Sequence, residues 1–186
     1  MRRRFAFLFL TFALAAGAPS ADADRLFDSD EVLELALVVP LRTLLRKAKV
    51  KPILDGNLQY TDAAGNAVAI DARVTTRGNS RLEYCSFPPL LVSLNPAQVD
   101  GTLFAGQQKL KIVTHCRKGS TYERYLRQEF GLYMAYNVLS DRSFRVRMLN
   151  MTYRDSEQRR RDETAPAFFI ESEDEVAGRL GMEEIK

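Results

Sequence analysis

Residues suited to nucleophilic or metal chemistry are few in this chain of 186 residues: one histidine, His115, and two cysteines, Cys85 and Cys116. His115 and Cys116 are neighbours, so in an extended segment they point to opposite faces, and no Asn or Asp is placed to orient the imidazole for a thiol protease. One His and two scattered Cys also lack the paired ligand spacing of a zinc site. A disulfide between the cysteines is the expected outcome in an exported chain. It would close a loop of roughly 30 residues and contribute on the order of 3 kcal/mol. Two charged features stand apart from these. Arg77-Gly78-Asn79-Ser80-Arg81 has the composition of a glycine-containing turn, and Arg159-Arg160-Arg161 sits in a polar stretch expected to be a solvated hairpin tip.

The N-terminus has the three parts of a secretory signal. Arg2, Arg3 and Arg4 form a charged region, Phe5 to Ala16 an apolar run short for a bilayer span, and Ala21-Asp22-Ala23 a small-residue cleavage site. Residues 1–23 are therefore expected to be a signal peptide, and residues 24–186 a single domain. No cysteine follows the apolar run, which argues against a lipid anchor. An uncleaved anchor helix is the alternative reading, although no stop-transfer pattern follows. Removing residues 1–23 takes three Arg and one Asp from the 27 basic and 24 acidic side chains, leaving 24 and 23. With the charge so nearly balanced, nothing favours nucleic acid as a partner. The sequence points to the periplasm or the exterior, without stable membrane insertion after cleavage.

The elements that must position these groups are mostly strands. Glu31 to Val39 is an extended apolar run, and Pro40 opens a short helix through Leu41, Leu44 and Leu45. Leu54 to Thr61 and Ala67 to Arg77 are expected to form a hairpin around Asp62-Ala63-Ala64-Gly65-Asn66. In its second strand Val68, Ile70, Ala72 and Val74 alternate with polar residues, the mark of a half-buried strand. Further strands are expected at Leu90 to Leu94, Lys109 to Thr114, Phe144 to Tyr153 and Ala167 to Ile170.

One long helix is expected from Thr121 to about Leu139, with Ser120 as N-cap and Glu123 completing a capping box. Gly131 weakens that helix by about 1 kcal/mol, which suggests a close neighbour there. Tyr125, Leu132, Tyr136 and Leu139 fall on one stripe, spaced to face a core. Glu129 falls on the same stripe and needs a cationic partner, because burying a carboxylate alone is expensive. The fold expected is α+β, an antiparallel sheet with this helix packed on one face.

Several segments in order carry a family resemblance: Arg77-Gly78-Asn79-Ser80, Phe87-Pro88, Gly101-Thr102-Leu103-Phe104, Lys109-Leu110-Lys111-Ile112-Val113, the long helix, Phe144-Arg145-Val146-Arg147 and Phe168-Phe169-Ile170-Glu171. Over about residues 73–178 the chain resembles the N-terminal lobe of the CotH spore-coat kinase family, whose members have an atypical protein-kinase-like fold. That resemblance implies ATP and a divalent Mg or Mn ion as cofactors and a partner protein as substrate. It makes Lys109 or Lys111 the cation on the nucleotide phosphates and Glu129 its orienting carboxylate, with Glu123 second. By the same resemblance Arg77 belongs to the binding turn, and Glu171 closes the last strand of the lobe. The family shows Lys residues directly after its Phe-Pro, whereas this chain has Pro89 and Leu90. The family's catalytic and metal-binding Asp residues lie in a second lobe for which the residues after Glu171 leave no room. The reading is thus an exported CotH-like kinase or pseudokinase fragment without a catalytic residue of its own, whose partner could be the missing lobe. The alternative is a non-catalytic exported binding module stabilised by its disulfide.

Overall fold

A computed structural model describes residues 26–183. The expected signal peptide lies outside the described residues. Among the described residues there are seven strands: β1 (Leu33–Val39), β2 (Leu54–Thr61), β3 (Ala67–Thr76), β4 (Leu90–Leu94), β5 (Lys109–Val113), β6 (Val146–Asp155) and β7 (Glu163–Ile170). They close into a barrel in the order β1-β2-β3-β4-β5-β7-β6. A ring of seven strands cannot alternate direction all the way round, so one neighbouring pair must run parallel. That pair is β1 and β6, in register from Leu33 opposite Leu149 to Val39 opposite Asp155.

Closure overturns the α+β fold expected from the sequence, an antiparallel sheet with a helix on one face. The sheet is mixed and has no free edge. Alternation along a strand reports which side chains point inward, but not that the first strand pairs with the sixth. Each expected strand is found, although β6 is shifted to Val146–Asp155 and β7 begins at Glu163, four residues before the expected Ala167. The β2–β3 hairpin turns at Asp62, whose Oδ1 accepts the N–H groups of Ala64 and Asn66 at 2.9 and 2.8 Å.

The barrel interior is apolar. Leu35, Leu37, Leu58, Ile70, Val74, Val92, Ile112, Met151 and Phe169 belong to one buried cluster that Leu41, Leu44 and Phe104 extend beyond the strands. Leu41 and Leu44 come from helix α1 (Leu41–Arg46), which begins directly after Pro40 as expected. Gly56 in β2 lies against β1. A Cβ there would sit 2.4 Å from the Val38 carbonyl oxygen, so the site accepts glycine alone.

A second, smaller core lies outside the barrel. Helix α3 (Ser120–Leu139) places Leu126, Phe130, Tyr133 and Met134 over Val113, Val146, Met148, Phe168 and Ile170. The helix therefore buries a different side from the one read in the sequence. Tyr125, Leu132, Tyr136 and Leu139 are 53–80 % exposed. Its capping also differs: Gly119 is the N-cap, Ser120 is already helical, and no side chain caps the end. No atom lies within 4 Å of a Cβ placed on Gly131, so no close neighbour explains that glycine. A capping box does form at helix α4 (Glu173–Leu180), between Ser172 and Glu175.

Candidate functional site

The loop after β3 is pinned at several points. The Arg77 N–H donates to the Pro89 carbonyl at 2.8 Å, and Gly78 follows at φ 93°, a conformation suited to glycine. Helix α2 (Ser80–Tyr84) then leads to Cys85, which is disulfide-bonded to Cys116 beyond β5. The Phe87 N–H donates to the Cys116 carbonyl at 2.9 Å, and the Thr114 hydroxyl donates to the Phe87 carbonyl at 2.8 Å. The expected disulfide thus ties the Arg-Gly-Asn-Ser-Arg turn to the sheet.

That anchoring defines a cleft of about 340 Å3 on the outside of the barrel, bounded by the turn, β5, α3 and the start of α4. Arg77, Arg81 and Lys111 supply its cations, and Glu129, Glu171 and Glu173 its carboxylates. Tyr133 and Phe144 add aromatic surface. Four residues singled out in the sequence, Arg77, Lys111, Glu129 and Glu171, therefore line one cleft. Lys109 does not; it is exposed at the start of β5.

The expected lysine–Glu129 pair is not formed. Arg81 Nη2 donates to both Glu129 oxygens, at 2.8 and 2.7 Å, while Lys111 forms an ion pair with Glu173. Sequence reasoning missed both substitutes as site residues. Arg81 had a signal, as the last residue of the turn motif; Glu173 had none beyond its acidic side chain.

Glu171 is 1 % exposed. Its carboxylate accepts from Arg145 Nε at 2.7 Å, from the Arg145 backbone N–H at 2.8 Å and from Arg179 Nη2 at 3.0 Å. Burial alone would push its pKa up, but the bonds from Arg179 and Arg145 outweigh burial and hold it below the ordinary carboxylate range. Arg179 also donates to the Asp141 and Ser143 carbonyls at 2.9 and 2.7 Å, which fastens α4 beside the cleft.

Arg77 is the exception to this pairing. Its half-buried guanidinium has no hydrogen-bond or ion-pair partner among the described residues. Burial first, and then the adjacent Arg81 charge, lower its pKa, Tyr133 and Glu129 partly oppose them, and the arginine remains charged.

A separate polar cluster surrounds His115, which is buried with Nδ1 unpartnered and Nε2 3.5 Å from Glu163. Burial pushes its pKa below the ordinary histidine value, and Glu163 only partly opposes that. Arg160 and Lys118 occupy the Glu163 carboxylate at 2.6 and 3.3 Å. Of the arginine run, therefore, Arg160 is fixed rather than free in solvent.

Fold and site together define a closed mixed barrel with a charged cleft on its outer wall, lined by three cations and three carboxylates. Comparison with family models, curated proteins and solved structures returned no match. Among the described residues no helix is long and apolar enough to cross a membrane.

Proposed function

We propose that the cleft binds a phosphorylated ligand, with ATP the form that the CotH-like sequence motifs favour. The observation that carries this reading is the unpaired Arg77 guanidinium, held half-buried beside Arg81 and Lys111. Glu129 acts on that charge only through space and is itself held by Arg81, so a phosphoryl group would supply the hydrogen-bond acceptors that Arg77 lacks. Arginine offers several N–H donors in a plane and suits that geometry. Tyr133 and Phe144 give the rest of such a ligand an apolar wall.

The donor set suits phosphate better than a divalent metal. Glu129, Glu171 and Glu173 are each engaged by Arg or Lys, so no pair of carboxylates is left to share an ion. The same commitment favours a second reading, in which the chain is an exported binding module that holds its ligand without transferring a phosphate. Bound ATP would bring the transferable phosphoryl group; the residues here would orient and neutralise it.

Calorimetry on the purified chain tests the proposal. Saturable ATP binding, lost in Arg77→Ala and weakened in Lys111→Met, is expected, with little dependence on Mg or Mn. No binding of ATP, ADP or inorganic phosphate would overturn it. Incubation with ATP followed by mass spectrometry separates the readings, since a binding module leaves both protein and nucleotide unmodified.

A further inference from the structure

Helix α3 carries two apolar stripes, and only one is used. With Leu126, Phe130 and Tyr133 already packed on the barrel, another side presents Tyr125, Leu132 and Leu139 at seven-residue intervals, with Tyr136 beside them. All four are more than half exposed. From Gln128 to Leu139 the one charge beside this strip, Glu129, is already held by Arg81, and Gly131 and Ala135 leave the backbone open to close approach. A continuous strip of this kind marks a contact surface, unlike apolar residues scattered singly.

We propose that this strip is the interface between two copies of the chain, with their α3 helices packed antiparallel about a two-fold axis at Leu132. The spacing is its own complement. A two-fold at Leu132 sets that side chain against its counterpart and Tyr125 against the partner's Leu139, the seven-residue seam of helix pairing. Charge favours the same arrangement. Arg124, exposed near the N-terminal end of α3, is carried toward the partner's Asp141, exposed just beyond the C-terminal end. A parallel pairing would instead set Arg124 and Arg127 against like charges. One helix pair buries less than the ~800 Å2 per partner of a standard interface, so the dimer forms in the micromolar range and depends on concentration.

Sedimentation equilibrium from micromolar to near-millimolar concentration tests this, together with single-cysteine variants. Cys85 and Cys116 are already paired, so an introduced thiol reports alone. Leu132→Cys is expected to cross-link to itself under mild oxidation. Tyr125→Cys is expected to cross-link to Leu139→Cys but not to itself. Leu132→Asp, at an exposed position that leaves the fold intact by circular dichroism, should weaken association about thirty-fold or more. A monomer throughout the range, self-cross-linking of Tyr125→Cys, or unchanged association of Leu132→Asp would each overturn the proposal. A monomer would assign the strip to some other occupant.

Discussion

Arg81 grips both oxygens of Glu129 across the cleft, and Arg77, on the same turn, has no hydrogen-bonded carboxylate among the described residues. The two arginines therefore differ in what their loss should do. Arg77→Ala is expected to abolish anion binding while costing the fold less than Arg81→Ala does, because it breaks no hydrogen bond or ion pair among the described residues. Arg81→Ala is expected to weaken binding and also to destabilise, since it strands a part-buried carboxylate. Urea titrations beside calorimetry distinguish them; a large stability loss in Arg77→Ala would contradict this division.

Glu173 holds Lys111 from the first turn of α4 and competes with any incoming phosphate. Replacing it by Gln removes this one competing charge while keeping the side-chain size. Anion affinity should rise several-fold, with the larger gain at low ionic strength, where the Debye length is longest. Equal affinities for wild type and Glu173→Gln would show that the ion pair does not guard the site.

The strands were legible in the sequence because each interior position recurs every second residue, as at Ile70, Ala72 and Val74. Barrel closure was not, because the pairing of Leu33 with Leu149 leaves no local mark on either strand. The helix was found and its burial reversed: Tyr125, Leu132 and Leu139 form as good a stripe as Leu126, Phe130 and Tyr133, and periodicity cannot choose between two apolar sides. At the cleft, Arg77, Lys111, Glu129 and Glu171 were all named from their motifs. Their partners were not, since which cation meets which carboxylate depends on how the turn and α4 fold over the sheet.

Reduction of the Cys85–Cys116 bond opens a loop with a sequence separation of 31. The loss expected is about 3–4 kcal/mol, on the view that the bond chiefly restricts the unfolded chain. Thermal melts with and without reductant should differ accordingly. Anion binding should weaken in parallel, because the bond anchors the Arg77 turn; full binding by the reduced, folded protein would show that the turn is held without it.

Acid should destabilise the protein in two stages. His115 has a folded pKa below its ordinary 6.5, so below about pH 6.5 the unfolded chain takes up a proton that the folded chain resists, and stability falls. Glu171 has a folded pKa below its ordinary 4.5. Its contribution is complete above pH 4.5 and is lost as pH falls through the folded value. Stability measured against pH should lose its first stage in His115→Gln and keep its second. An unchanged upper limb in that variant would show that His115 does not titrate as its burial implies.

Gly56→Ala should be among the most damaging single-methyl substitutions, costing roughly 2–3 kcal/mol, because the new carbon meets backbone that cannot rotate away. A near-neutral melt would mean that β1 and β2 can separate there without cost.

Parity gives the barrel its one parallel seam, between a strand near the start of the chain and one made more than a hundred residues later. No ring can close until both are present. A chain delivered N-terminus first, from a ribosome or through an export channel, would hold β1 with one flank unsatisfied until β6 emerges, exposed to aggregation and to holding chaperones. Folding should accordingly be slow for the protein's size, and limited by the meeting of its distant parts rather than by the helix.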